Sequence, residues 1–250
     1  MDDENLERIE PFSVKLVLSE TLAFCSVNKA YLFDSLKYLC LGVLVIDLFN
    51  LFRFGSFGLD FFVGGILAIY LKTLLAVKCH RMFLLNDPVG AIKDNFLWKK
   101  RDTEFVVYGL MLGLLMFIIF FPIMTFFSIQ TSGLETIGPG IAYKSVMIPI
   151  GYTWARLSLM FPAIAIDKKE DFSNAWMISK GNGWKLFFLI YLLPGGFRLL
   201  SGTLLSSFFI FNWILSVVGN VIFIFEVLVL SNSYRHLSRI KKVSAVPQEG

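Results

Sequence analysis

The stretch Phe105–Phe127, FVVYGLMLGLLMFIIFFPIMTFF, contains no Asp, Glu, Lys or Arg, and Lys99-Lys100-Arg101 stands just ahead of it. A helix of roughly 20 mainly apolar residues crosses a hydrocarbon core about 30 Å thick. Lipid offers no partners to backbone N–H and C=O groups, so a segment that satisfies its own is expected there. No alternating strands of a barrel are visible. Five further runs qualify: Ser35–Phe52, Leu59–Val77, Tyr143–Ile166, Trp184–Leu200 and Leu204–Leu230. The expectation is an all-α, polytopic membrane bundle of six transmembrane helices, one domain over 1–250, with short cytoplasmic tails 1–11 and 237–250.

Charge sets the orientation. Of the 23 Lys and Arg, 18 lie in Met1–Lys37, Lys78–Glu104, Asp167–Lys185 and Asn232–Gly250. The alternate connections Arg53–Asp60, Ser128–Ala142 and Phe197–Thr203 hold only Arg53 and Arg198. Basic residues remain on the cytoplasmic side of polytopic proteins, so both termini are expected in the cytoplasm. Composition agrees: 56% apolar and 17% charged, against about 45–50% and about 25% in soluble domains. The net charge of +4 flanks the spans instead of forming one stripe. That suits anionic lipid headgroups and not nucleic acid.

The acidic start, Asp2, Asp3, Glu4, Glu7 and Glu10, is unlike a cleaved secretory signal. Cys25, Cys40 and Cys79 form no CxxC, so neither a disulfide framework nor a zinc site is expected. Trp98, Trp184 and Tyr234 fall near expected interfaces. Amphipathic stretches precede the first, third and fifth spans: Phe12–Phe24, Val89–Trp98 and Asp171–Lys180. They read as helices lying in the cytoplasmic interface, or as ordinary short loop helices.

A slide of 154 residues aligns Lys15–Arg81 with Lys169–Arg235 without gaps. Identities include Ser19/Ser173, Asn28/Asn182, Leu32/Leu186, Phe33/Phe187, Gly42/Gly196, Gly65/Gly219 and Arg81/Arg235. The unit is interfacial helix, outgoing span, returning span and terminal Arg. Both copies begin inside, which makes this a parallel internal repeat. The middle hairpin, ending near Arg156, reads as a degenerate third copy.

Two stretches carry a resemblance. Cys79-His80-Arg81-Met82-Phe83-Leu84-Leu85 is followed by Arg101-Asp102-Thr103-Glu104-Phe105. Ala155-Arg156-Leu157-Ser158-Leu159-Met160-Phe161-Pro162 is followed by Asp171–Trp176 and Lys180–Trp184. These resemble the YciC-like bacterial inner-membrane proteins and, more distantly, the membrane domain attached to some glycerophosphodiester phosphodiesterases. The resemblance implies a six-helix membrane bundle without an assigned activity. Where that membrane domain accompanies a phosphodiesterase, catalysis belongs to a separate soluble domain, so no catalytic residue is carried over.

The candidate sites are charged. Asp47, Lys72, Arg156 and Glu226 fall inside spans, where a charge costs at least about 2.5–3.5 kcal/mol and usually pairs. Lys72 and Glu226 occupy equivalent repeat positions, each about 8–9 Å from the cytoplasmic end of its span at 1.5 Å per residue. They are expected to face each other, with Arg156 reaching toward Glu226. Asp47, nearer the outer face, reads either as a partner of Arg53, if the helix continues, or as water-exposed. The group reads as a proton or ion relay, a pocket for an anionic headgroup, or a structural ion pair. His80 and Arg81 read as a lipid-phosphate contact or as topogenic charge alone.

Pro194-Gly195-Gly196 reads as a broken helix at a substrate site, or as a kink near the outer end. Gly109 and Gly113 form a GxxxG that packs within the chain or between copies. Two His in all, and no His-Glu-x-x-His spacing, point away from a metal site. The outer loop Ser128–Ala142 has Glu135 as its one carboxylate, too little for a hydrolytic site. No cofactor is expected. The functional expectation is a non-enzymatic membrane module organising lipid or a partner protein. The alternatives are a small transporter with a site near Lys72, Arg156 and Glu226, and a lipid-directed enzyme.

Overall fold

The computed structural model describes residues 11–51, 59–86, 96–130, 138–197 and 209–244. The described residues are helical, without a strand. In chain order the helices are α1 (Val14–Val27), α2 (Lys29–Leu51), α3 (Leu59–Leu85), α4 (Lys100–Gln130), α5 (Gly138–Leu157), α6 (Met160–Ala165), α7 (Phe172–Ile178), α8 (Gly183–Phe187) and α9 (Phe209–Ser244). A π-helical turn, Phe188–Leu192, continues α8, which runs as one apolar helix over Gly183–Phe197.

Local chemistry sets the boundaries. Asp102 Oδ2 accepts the Lys99 N–H at 2.6 Å, tying the residue ahead of α4 back onto its first turn. Asp171 Oδ1 accepts the Asn174 N–H at 2.7 Å and caps α7. Asn86, at φ 50°, turns the chain out of α3 in a left-handed step that Asn tolerates. Two expected amphipathic helices, α1 and α7, form; the third, Val89–Trp98, lies largely outside the described residues. Pro194 does not break its helix. A Pro withholds its own N–H and crowds the preceding turn, and here a wide π turn lies directly before it. The expected fourth span is interrupted instead, because α5 stops at Leu157 and the short α6 resumes at Met160.

Among the described residues, three helices are long and apolar enough to cross a membrane: Phe62–Leu85, Lys100–Ile123 and Ile214–Lys241. α4 shows why a lipid solvent suits the fold. Only 11% of its apolar window is buried, and Leu110, Met111, Leu114, Phe117, Ile118 and Phe121 all face outward. In water that face would be a large unpartnered apolar patch.

The hairpins α2–α3, α4–α5 and α8–α9 pack in cyclic order. The second helices, α3, α5 with its extension α6, and α9, come together at the centre through α3, α6 and α9. Each first helix lies on its own second helix and on that of another hairpin: α2 on α9, α4 on α3, and α8 on α5. Gly151 makes the last contact possible, since a Cβ there would sit 2.5 Å from the Tyr191 ring. Asn28 and Asn182, identical in the aligned halves, each precede a helix and accept its first backbone bond, from Leu32 N at 2.8 Å and Leu186 N at 3.1 Å.

Candidate functional site

α2, α3 and α9 bring one carboxylate, one ammonium and two neutral donors together where these helices meet. Lys72 Nζ donates to Asp47 Oδ1 at 3.2 Å. Asp47 Oδ2 accepts from Asn220 Nδ2 at 3.3 Å and from Ser216 Oγ at 3.4 Å. These four residues, with Gly219 and Phe223, line a half-open cleft of about 360 Å³.

Lys72 therefore pairs with Asp47, and the expected Lys72–Glu226 pair is corrected. Two physical reasons apply. α3 runs on to Leu85, so at about 1.5 Å per residue Lys72 lies about 20 Å from either helix end, not near the basic one. Side chains also lean toward the N-terminus of their own helix. Lys72 leans toward the Leu59 end, and Asp47, on the antiparallel α2, leans toward it. Glu226 lies farther along α9 and does not line the cleft. Arg53, the other partner considered for Asp47, lies outside the described residues.

Arg156 is 7% exposed and engaged elsewhere, so its expected reach toward Glu226 is also corrected. Its Nε donates to Ser179 Oγ at 2.8 Å and its Nη2 to the Trp176 carbonyl at 2.6 Å. The guanidinium carbon lies 3.4 Å from the Trp176 ring centroid, with the Tyr152 ring on another side. Arg156 thus fixes α7 against α5 by stacking and by donated hydrogen bonds.

A matching clamp holds α1 on α9. Arg235 Nη2 and His236 Nε2 meet Glu20 Oε2 at 3.2 and 2.7 Å. Asn232 Nδ2 donates to the Val17 carbonyl and to Thr21 Oγ1. Burial would raise the Glu20 pKa, but the hydrogen bonds from His236 and Asn232, with the charges of His236 and Arg235, hold it below the usual value.

His80 is 1% exposed, inside the bundle instead of at its surface. Its Nδ1 lies 2.7 Å from Ser231 Oγ, which spends its own hydrogen on the Val227 carbonyl at 2.9 Å. Nδ1 is therefore the protonated nitrogen, donating to Ser231. Arg81, the other half of the expected phosphate contact, points to the chain after α6. Its Nη1 donates to Asp167 Oδ2 at 2.9 Å and to the Ala165 carbonyl at 3.2 Å. Arg101 Nη1 reaches the same Asp167 oxygen, also at 2.9 Å.

Of the GxxxG pair, Gly109 faces the Phe161 ring of α6, as packing within the chain requires, and Gly113 faces open space. Among the described residues, no group of three or more His, Cys, Asp or Glu could hold a metal ion. Sequence reading missed Ser216, Asn220, Ser231 and Asp167. Asn220, an amide inside an apolar run, was the available signal for the cleft; the role of Asp167 had none.

These features define an all-helical bundle with membrane-length apolar helices, polar pins between them, and Arg clamps gathered at one end. No family model, curated protein or solved structure matches the chain.

Proposed function

We propose that the chain crosses a bacterial cytoplasmic membrane six times, with both termini inside, as a non-enzymatic module that organises lipid or a partner protein. One observation carries this reading: an outward apolar side and a basic end lie apart on the bundle. α4 turns a long apolar side outward, while Arg81, Arg101, Arg156 and Arg235 collect with α1 and α7 at one end of the bundle. Clamped amphipathic helices at headgroup level present a shaped polar floor to the inner leaflet. The likeness of Cys79–Leu85 and Ala155–Pro162 to the YciC-like proteins leads to the same reading. The cyclic packing of three hairpins, each with an Arg near the end of its second helix, supports a parallel repeat of three copies.

Asp47 fits this reading as a pin. Both of its oxygens are occupied, which suits a fixed structural pair better than a relay that must release and rebind a proton. The cleft itself favours a second reading, a small transporter, whose site would be Asp47, Lys72, Ser216 and Asn220, without Arg156 or Glu226.

Native mass spectrometry of the purified full chain, followed by lipid extraction, separates the two. The module retains phospholipid through detergent exchange. A retained polar solute without phospholipid would overturn the module and favour the transporter.

A further inference from the structure

At the basic end of the bundle, two guanidinium groups share a single carboxylate oxygen. Arg81, from the last turns of α3, and Arg101, from the first turn of α4, both place Nη1 2.9 Å from Asp167 Oδ2. The burial runs the unusual way round. The cations lie underneath, with side chains only 16% and 15% exposed, and the anion covers them at 58% exposed. Arg101 Nε is buried with no acceptor among the described residues. Asp167 is held at φ 61°, a left-handed conformation uncommon for a residue with a side chain, just past the end of α6. Lys99, Lys100 and Lys168 are neighbours in sequence, and Lys100 is 91% exposed. Opposing charges are close as well: Asp102, which binds the Lys99 N–H, and Glu104, which pairs with Lys100 at 3.7 Å.

Arg81 Nη1 also donates to the Ala165 carbonyl, whereas the one shared oxygen leaves the Arg101 fork under-used, its Nε lacking an acceptor among the described residues. A phosphate group offers a separate oxygen to each Arg and a further acceptor for Arg101 Nε, in the paired geometry that guanidinium groups favour. We propose that Arg81 and Arg101 form a phosphate-binding site in which the Asp167 carboxylate is a built-in, displaceable occupant. The phosphate approaches from the open side, the Asp167 side chain swings into solvent, and no covalent bond changes. His80 takes no part, since it faces Ser231. This inference rests on the membrane placement above, which sets the site at headgroup level, where the phosphate belongs to an anionic lipid. A soluble phosphate has the same chemistry.

The test uses the full-length chain in detergent, with phosphatidylglycerol retention read by native mass spectrometry and inorganic phosphate as a separate ligand. Asp167→Asn keeps a residue that tolerates positive φ and removes only the competing charge. It should tighten phosphatidylglycerol binding about three- to tenfold. Arg101→Gln should weaken binding about tenfold. Lys37→Gln, which removes a cation from α2, should leave it unchanged. A plain structural ion pair predicts the reverse for Asp167→Asn, so unchanged or weaker binding in that variant overturns the site. Equal lipid retention by all four proteins also overturns it, and leaves the lipid-organising reading standing. Inorganic phosphate that binds more tightly to Asp167→Asn, with no lipid retained, upholds the site and ends that reading.

Discussion

Asp47 holds three helices because a carboxylate has two oxygens and each finds a donor on a different neighbour. Lys72 of α3 takes one, and Ser216 and Asn220 of α9 share the other. Removing a single partner leaves the other charge unpaired in a half-open cleft between apolar helices. Asp47→Leu or Lys72→Met should each destabilise the bundle by about 1–3 kcal/mol, and the double variant by less than either. Thermal unfolding of the full chain in one detergent measures this; single and double losses that simply add would show that the pair is not coupled. That some intramembrane charge is paired was legible in the sequence, because a lone charge in an apolar run is costly. The identity of the partner was not. It depends on the lean of side chains along two antiparallel helices, and on α3 continuing past Val77 to Leu85. Lys78, His80 and Arg81 read as loop charges, yet they ride on that helix, and Ser231 and Asp167 give His80 and Arg81 the partners that let it continue.

At the scale of the element, α1 and α7 are short helices held by side chains from other helices. Arg156 donates to the Trp176 carbonyl and stacks on the Trp176 ring, while Glu20 of α1 receives Arg235 and His236. The Glu20 pKa is held low in the folded protein, so its contribution is complete above the ordinary glutamate pKa. That contribution is lost as the pH falls through the lowered value. Glu20 is about one-third exposed, so the clamp is worth less than about 1 kcal/mol after screening. Hydrogen exchange in α1 should accelerate on acidification and in Glu20→Gln at neutral pH, while exchange in α7 stays as it was. If α1 and α7 loosened together, the Glu20 clamp would not be what holds α1. The amphipathic pattern of Phe12–Phe24 and Asp171–Lys180 made both helices readable. Their docking was not readable, because Ser179 and Asn232 gain meaning only once α5 and α9 come close. Pro194 shows the converse limit. Its chemistry argues for a break, and a π turn next to it absorbs the misfit.

At the scale of the molecule, three hairpins surround a centre made by α3, α6 and α9, with apolar sides outward and Arg clamps at one end. The apolar runs made the helices legible, and the alternation of basic and non-basic connections supplied an orientation. The cyclic order was only hinted at by Asn28/Asn182 and Arg81/Arg235, identities between the first and last hairpins that leave the middle one out. The central claim is that this basic end faces the cytoplasm and that the chain crosses the membrane six times. Reporter fusions along the full chain in living bacteria test it most directly, at Trp98–Arg101, at Ser128–Ala142 and after Gly250. The account predicts that the first and last sites report the cytoplasm and the middle one the opposite side. A fusion near Trp98–Arg101 that reports the far side of the membrane would contradict it.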